Sequence, residues 1–253
     1  MDALPPELQT TILYRLPARD VVRTSILSRP WRRRWESVPD LDIDLTDLHS
    51  WATATTFLSR CAAPIRRLRL HGVPPHLAVC VDSWLRLAAG KSPRVLSAPP
   101  VGFAGLRALA TLSLEKVFFR ARNAWRQVEE MLAAAPGLVE LTLRDIIFHV
   151  AGDGGLPGRW VIGGQSLRRV ELCLEIAGAG FWEVGSVPKL ECAHVVLNDS
   201  PEHRDYFKLF TALSGVKELN VGNFNGRTYQ VRVFLCLSAL NQTSRIIRIS
   251  GVT

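Results

Sequence analysis

Residues 4–35 read LPPELQTTILYRLPARDVVRTSILSRPWRRRW and predict three short helices separated by proline and capping residues. Pro6 and Glu7 suit the start of a helix, because a first turn tolerates a missing N–H and favours a carboxylate. Pro17 ends this first helix. The apolar residues that recur on one face of it are Leu8, Ile12, Leu13 and Leu16.

Two further helices are predicted in the same stretch. Asp20 is a candidate N-cap for the second, and Ser28 can cap the third with Pro30 inside its first turn. The apolar residues of the second helix are Val21, Val22, Ile26 and Leu27. This periodicity alone fits either a small helical subdomain packed on the rest of the chain or a docking surface for another protein.

The order of residues in this segment resembles an F-box. The residues that carry the resemblance are Leu4, Pro5, Glu7, Ile12, Leu13, Leu16, Pro17, Asp20, Ser25, Leu27, Ser28, Trp31 and Trp35. Residues 37–44 are similar to the stretch that follows the F-box in plant proteins. Pro30 stands where a basic or small residue is expected, but a first helical turn accepts proline.

The resemblance implies a non-catalytic adaptor subunit of a Skp-cullin-F-box ubiquitin ligase. The F-box would bind a Skp-type adaptor, which in turn joins the chain to cullin and a RING subunit. The remainder would bind a protein substrate of unknown identity. The residues that the resemblance assigns to the Skp-type adaptor are Leu4, Pro5, Glu7, Leu8, Ile12, Leu13, Leu16, Pro17, Val21, Leu27 and Trp31.

Length and composition fit two modules, an F-box at residues 1–40 and a second domain at 41–253. A chain of 253 residues that is 47% hydrophobic can bury a large core. No apolar run approaches 18 residues, and the first residues lack the basic and apolar parts of a signal peptide. We therefore expect no membrane association and a location in the nucleus, the cytoplasm or both.

The five cysteines argue against a disulfide framework or a zinc site. They are odd in number and no pair has C-x-x-C spacing, at Cys61, Cys80, Cys173, Cys192 and Cys236. We expect buried, inert thiols in a reducing compartment, no metal and no cofactor. A RING within this chain is excluded, so another subunit must supply ubiquitin transfer.

The net charge of +8 raises a nucleic-acid hypothesis, because phosphate binding scales with clustered cations. The distribution disfavours it, since 26 arginines and 5 lysines are scattered among 23 acidic residues. The densest run, Arg32-Arg33-Arg34, lies on the predicted third helix. It fits a solvated helix face or, alternatively, a nuclear-import signal.

Beyond residue 40 a strand pattern of apolar, any, apolar recurs. From Leu112 the intervals are 29, 29, 25, 24 and 28 residues, which predicts a leucine-rich-repeat solenoid. The fold class is therefore α/β, with a curved, mostly parallel sheet and helices or loops on its convex side. A further strand is predicted near Val95-Leu96. The main strands start at Leu41, Leu68, Leu112, Leu141, Val170, Val195, Leu219 and Ile247.

The residues between the apolar positions should line the concave face of the sheet. They are Asp42 and Asp44; Arg67, Arg69 and His71; Thr111, Ser113 and Glu115; Glu140, Thr142 and Arg144; Arg169, Glu171 and Cys173; His194, Val196 and Asn198; Glu218, Asn220 and Gly222; and Ile246, Arg248 and Ser250. By analogy with the F-box family, the candidate substrate-binding residues are Arg67, Arg69, His71, Glu140, Arg144 and Glu171.

No converging catalytic constellation is present in the sequence. The six histidines are dispersed, and neither H-E-x-x-H nor G-x-S-x-G occurs. An adaptor explains the F-box, the repeats and the missing chemistry together. The alternatives are an F-box scaffold that acts outside a ligase and a basic nucleic-acid-binding protein, which explains the charge alone.

Overall fold

The computed structural model describes residues 4–16, 18–29, 31–37, 40–44, 51–62, 65–90, 104–119, 124–148, 159–174, 182–197, 206–223 and 246–251. It is a mixed structure of helices and parallel strands. The predicted strand near Val95-Leu96 lies outside these residues.

The N-terminal segment forms two α-helices, α1 (Pro6–Tyr14) and α2 (Ala18–Arg23), and two 3-10 turns, Thr24–Ile26 and Arg34–Ser37. Pro6 occupies the first turn of α1, as predicted. Asp20 does not cap α2, because it lies inside the first turn and pairs with Arg23 at 3.3 Å. The predicted third helix is a run of single turns that ends in the second 3-10 turn.

Eight strands form one parallel sheet whose order follows the chain. Apart from the two edge strands, each strand pairs with the sheet strand before it and the sheet strand after it, so Arg67–His71 pairs directly with Thr111–Glu115. The strands are β1 (Asp40–Asp44), β2 (Arg67–His71), β3 (Thr111–Glu115), β5 (Glu140–Arg144), β8 (Arg169–Leu174), β10 (Cys192–Leu197), β11 (Glu218–Asn223) and β12 (Ile246–Gly251).

Helices and short strands fill the return segments between these strands. Two small parallel pairs accompany the main sheet, β4 (Phe118–Phe119) with β6 (Ile147–Phe148) and β7 (Trp160–Ile162) with β9 (Trp182–Val184). The helices of the returns are α3 (Trp51–Arg60), α4 (Ala78–Ala89), α5 (Ala124–Ala133) and α6 (Tyr206–Ala212). None of the helices within the described ranges is long and apolar enough to cross a bilayer.

Burial alternates along the sheet strands as their sequence predicts. Leu141, Leu143, Leu172 and Leu219 are each at most 5% exposed, while Thr142 between the first two is half-exposed. The register places equivalent residues side by side, with Leu112 opposite Leu141 and Leu141 opposite Val170. The apolar residues of successive strands therefore form continuous rows in one core.

A repeated backbone hydrogen-bond pattern starts each strand. The carbonyl of Ala110, directly before β3, accepts the N–H groups of Val139 and Glu140 at 2.8 and 3.0 Å. The carbonyls of Arg66, Val139, Arg168 and Glu191 accept two N–H groups in the same way. In the six sheet strands with described side chains, another buried apolar residue lies three residues before the first buried position of the strand: Ile65, Leu109, Leu138, Leu167, Leu190 and Val216.

The alternation of buried residues in β10 begins at Ala193, two residues before Val195, where the strand was predicted to start. Ala193 pairs with Val170 and Leu219, and Val195 pairs with Leu172 and Val221. Ala193 is 1% exposed and takes the first apolar position, which alanine hid from the sequence pattern. A shift of two residues keeps each side chain on its predicted face. Asn198, the last predicted position here, lies outside the described residues.

Three residues predicted to be exposed on the open face of the sheet are buried instead: Ser113, Cys173 and Val196. Each has a short side chain between neighbouring strands. Arg69 and Thr142 flank Ser113, and Arg144 and Val196 flank Cys173. Ser113 and Cys173 thus each lie beside an arginine of a neighbouring strand, and a period of two does not anticipate their burial. Val196 lies between Cys173 and Gly222, and its burial has no such explanation.

An aromatic row packs the short strands on the other side of the core. Phe119 and Phe148 lie 5.4 Å apart between ring centroids, and Phe148 meets Trp160 edge-on at 5.9 Å. Trp182 pairs with Trp160 in the register of β7 and β9. All four side chains are buried, so the returns that contain β4, β6, β7 and β9 share one apolar layer.

Substitutions in β8 and β10 test the strand register. Leu172→Ala should lower the free energy of unfolding by about 2 to 5 kcal/mol, because it opens a cavity in the core. Ala193→Asp should cost about 3 kcal/mol or more, because it places a carboxylate without a partner among apolar side chains. Urea unfolding followed by circular dichroism measures both changes.

The matched controls are Thr142→Ala and His194→Asp, on the open face of neighbouring strands, which should change the unfolding free energy by about 0.5 kcal/mol or less. If His194→Asp destabilised the protein more than Ala193→Asp, the corrected register of β10 would be off by one residue.

Candidate functional site

The N-terminal helices enclose a small core of their own. Leu13, Val21, Trp31 and Trp35 are buried together, and Leu4, Leu16 and Phe57 pack against them. Gln9 supports this arrangement, because its side-chain amide donates a hydrogen bond to the Leu4 carbonyl at 2.9 Å. A segment with so few buried residues leaves many of its apolar side chains outside the core.

The same helices also carry a set of exposed apolar side chains, here called the apolar face. Its six members are between 38% and 85% exposed: Leu8, Ile12, Tyr14, Val22, Ile26 and Leu27. Among the described residues only three other large apolar side chains are this exposed, and they are dispersed at Val79, Ile147 and Val161. Exposed apolar side chains in such density mark an interaction surface more often than a solvated one.

The residues predicted to bind the adaptor fall into two groups in the structure. Pro5, Glu7, Leu8, Ile12 and Leu27 are exposed and available to a partner. The others with described side chains lie wholly or partly in the helical core: Leu4, Leu13, Leu16, Val21 and Trp31. Leu13, Val21 and Trp31 are buried in the helical core, so they support the helices from inside. The Pro17 side chain lies outside the described residues.

Sequence reasoning missed three members of the apolar face as site residues, Tyr14, Val22 and Ile26. The signal was present, because Val22 and Ile26 are spaced four residues apart. A helical pattern predicts that two such residues share a face, but not whether this face is inside or outside.

An aromatic contact joins the N-terminal segment to the first helix of the sheet region. Trp35 stacks on Phe57 of α3 with 5.1 Å between ring centroids and an interplanar angle of 10°. The guanidinium of Arg60 lies 5.3 Å from the Trp35 ring and donates a 2.6 Å hydrogen bond to Glu36. The Glu36 carbonyl also accepts the N–H of Ala62 at 2.6 Å. These contacts fix the helical segment against α3.

The open side of the main sheet, here called the polar face, carries charged residues in pairs. Arg169 donates to Glu140 at 3.0 Å, and Arg144 donates through Nε to Glu171 at 2.9 Å. His71 lies 3.4 Å from Glu115. The polar face comprises Arg67, Arg69, His71, Thr111, Glu115, Glu140, Thr142, Arg144, Arg169, Glu171, His194, Glu218 and Asn220.

All six candidate substrate-binding residues lie on the polar face. Glu140, Arg144 and Glu171 are on β5 and β8, and each is in one of the ion pairs just described. Arg67, Arg69 and His71 follow one another on β2 and are half-exposed. The backbone register sets these three opposite Asp40, Asp42 and Asp44 of β1. The structure thus brings the six residues onto one surface, with acidic and basic positions alternating.

The cysteines with described side chains are free thiols. Cys61 and Cys173 are buried, whereas Cys80 and Cys192 are half-buried and so less enclosed than predicted. Burial, with a smaller contribution from the Asp145 carboxylate, raises the pKa of Cys173 to about 11. In the described part of the chain no group of three or more potential ligands is arranged to hold a metal ion.

Cys173 should therefore resist alkylation at pH 8, where Cys80 and Cys192 react, because its thiol stays buried and protonated. The unfolded chain loses this proton first. The stability contributed by the protonated thiol should accordingly decline as the pH rises from about 9 to about 11. Urea unfolding of the wild type and of Cys173→Ser across this range measures the effect. A constant difference between the two proteins would show that the folded-state pKa is not raised.

Comparison with known proteins identifies the helical segment. Residues 1–42 match the model of the F-box domain. F-box/LRR-repeat protein 13 of Arabidopsis thaliana is 47% identical over 55 residues, which is 22% of this chain and 12% of that protein. An FBD-associated F-box protein of the same plant is 26% identical over 211 residues, covering 68% of this chain and 48% of the relative.

The chain thus carries an F-box domain at its N terminus, and the relatives it resembles are plant F-box proteins, one of them named for leucine-rich repeats. A further relative, an F-box/FBD/LRR-repeat protein of Arabidopsis thaliana, is 45% identical over 60 residues, or 24% of this chain and 14% of that protein. The chain spans less than half the length of these curated relatives.

Proposed function

We propose that this chain is the substrate-recognition adaptor of a Skp-cullin-F-box ubiquitin ligase. The observation that carries the proposal is the apolar face, which lies within the residues that match the F-box domain. In this proposal the face binds a Skp-type adaptor. Cullin and a RING subunit join through that adaptor and supply the transfer chemistry, and the chain itself is not an enzyme.

The two groups of predicted adaptor-binding residues then have different roles. When the partner binds, water is removed from the exposed side chains of Leu8, Ile12, Ile26 and Leu27. Removal of this apolar area from water is the main source of affinity for such a surface. Leu13, Val21 and Trp31 hold the helices in position from inside. Substitution of a buried member would weaken binding through loss of the fold, whereas substitution of an exposed member acts on the interface directly.

We further infer that the sheet region is an irregular leucine-rich-repeat solenoid with the polar face on its concave side. One support is the strand order, which follows the chain. The other is a repeated hydrogen-bond pattern, in which the carbonyl directly before each of five strands accepts two N–H groups. Each repeat adds one strand and cannot bury its own apolar side alone. The target protein would bind on the polar face.

The mechanism that follows is tethering. A bound target and the ubiquitin-loaded subunit are held in one complex, which raises their effective concentration and orients the target lysine. The contact between Trp35 and Phe57 would keep the apolar face and the sheet at a fixed separation during this step. The free thiols are compatible with the reducing nucleus or cytoplasm, where we place the protein.

Charged substitutions on the apolar face test adaptor docking. Leu8→Glu with Ile26→Glu should weaken binding of a purified Skp-type adaptor by at least about thirtyfold, because loss of a central apolar anchor typically costs about 2 kcal/mol or more. Isothermal titration calorimetry on the full chain measures this change.

The matched control is Val79→Glu, a similarly exposed apolar residue on α4 outside the F-box, which should bind as the wild type does. Circular dichroism confirms that each variant is folded. Equal affinity of the double variant and the control would exclude the apolar face as the docking surface. Binding of the adaptor without recovery of cullin from plant cells would favour a scaffold outside a ligase.

Charge reversal on β2 tests the target surface. If the polar face recognises an acidic or phosphorylated segment, Arg67→Glu with Arg69→Glu should remove the target from affinity-purified complexes, because each charged hydrogen bond contributes about 1.5 to 3 kcal/mol. Mass spectrometry of the proteins purified with the wild type and the variant provides the comparison, with the Skp-type adaptor as the internal reference.

The charge-matched control is Arg107→Glu with Arg126→Glu, two exposed arginines that lie off the polar face. Retention of every partner by both variants would rule out β2 as the target site. Loss of the same partners from both would indicate a general effect of charge rather than a contact at Arg67 and Arg69.

A further inference from the structure

Positive charge is concentrated in one part of the F-box. Seven arginines but only one acidic residue, Asp20, lie between residues 15 and 34. Asp20 is already paired with Arg23 at 3.3 Å. Most of the chain's net charge of +8 therefore originates in this short segment.

Three of these arginines form an exposed cluster, here called the basic rim, made of Arg29, Arg32 and Arg33. The backbone turns back at this point, because Trp31 N donates to the Ser28 carbonyl at 3.2 Å and Arg32 N donates to the Arg29 carbonyl at 3.3 Å. Trp31 is buried, which anchors the turn from inside, while all three arginine side chains are exposed.

In the chain, the basic rim follows directly after the most exposed residues of the apolar face. Arg29 lies two residues after Leu27 and three after Ile26, which is 85% exposed. The rim arginines make no ion pair with the described residues. The polar face differs, since Arg144 and Arg169 there are neutralised by Glu171 and Glu140. A field of one sign thus stands beside the apolar face and extends into solvent.

We propose that the basic rim recognises an acidic surface on the Skp-type adaptor next to the apolar patch that the adaptor offers. This inference rests on the proposed function and adds the charge of the partner. An apolar centre with a charged edge is the usual anatomy of a specific protein interface. Edge charges mainly accelerate association and exclude partners of the wrong sign, while the apolar centre sets the lifetime of the complex.

The different roles of the charged edge and the apolar centre predict different effects on the association and dissociation rate constants. Arg32→Glu with Arg33→Glu should lower the association rate constant for a purified Skp-type adaptor by at least about tenfold at low salt. The dissociation rate constant should change little. The difference in association should shrink between about 0.01 M and about 1 M NaCl, because the screening length falls from about 30 Å to about 3 Å. Stopped-flow fluorescence on the full chain gives these rate constants.

The matched control is Arg107→Glu with Lys189→Glu, which changes the net charge equally at two exposed residues outside the F-box. A rim-specific effect requires this control to associate much faster than Arg32→Glu with Arg33→Glu at low salt. Equal slowing of both would overturn the inference in favour of overall charge. An unchanged association rate and salt dependence in the rim variant would also overturn it, even where Leu8→Glu with Ile26→Glu abolishes binding.

Vesicles of phosphatidylserine serve as the second probe, because basic and apolar residues together also suit an anionic membrane. Rim-dependent flotation with vesicles, alongside unchanged adaptor kinetics, would overturn the inference and assign the rim to lipid. Absence of any adaptor binding by the folded wild type would instead refute the proposed function, and the inference with it.

Discussion

The architecture depends on backbone hydrogen bonds between parallel strands that are far apart in the chain. Ala110 contributes one carbonyl to two N–H groups of the next repeat, and four other carbonyls do the same at equivalent places. Parallel strands have no local turn to close them, so every strand needs a full return segment before it can pair. The return segments must therefore be packed as regularly as the strands, and the row of Phe119, Phe148 and Trp160 shows how this is achieved.

Residues after the strands complete the same pattern. Gly72, Lys116 and Asp145 follow β2, β3 and β5 and have positive φ angles of 56°, 53° and 49°. Their N–H groups donate to the carbonyls of Glu115 and Arg144, the last residues of β3 and β5, and of Cys173, the next-to-last residue of β8, at 2.9 to 3.0 Å. A lysine and an aspartate accept a strained backbone here, at a cost of about 1 to 2 kcal/mol each. The hydrogen bond at each position contributes a net of about 0.5 to 1.5 kcal/mol and so offsets part of this cost.

Most of the sheet could be predicted from the sequence because two independent signals mark the strands. Alternation of Leu141, Thr142 and Leu143 indicates the strand, and the buried residue three positions earlier, Leu138, indicates where it starts. At β10 the first signal failed, since alanine is a weak apolar marker. The second signal, a buried apolar residue three positions earlier, is present at β10, because Leu190 lies three residues before Ala193. A prediction based on this signal would have given the observed register.

The helical site was harder to predict for a physical reason. Leu13 and Ile12 are adjacent and equally apolar, yet Leu13 is in the core and Ile12 is 39% exposed. In a helix of nine residues with apolar side chains around much of its surface, hydrophobicity alone cannot separate an inner face from a docking face. The tertiary contacts of Trp31 and Trp35 settle which side faces inward. Sequence reasoning therefore found the segment but mixed its supporting and exposed residues.

The two candidate surfaces would recognise partners by different physics. The apolar face is exposed in the described part of the chain, so binding there gains the free energy of removing its exposed apolar area from water. On the polar face a target must compete with ion pairs such as Arg144 with Glu171. Exposed pairs contribute only about 0 to 1 kcal/mol, so the competition costs little. A target that offers both signs of charge in matching order would satisfy both partners of each broken pair. A target of one sign would leave the other member of each broken pair in water, at a cost of at most about 1 kcal/mol for each pair, so selectivity without a deep pocket would require several such pairs together.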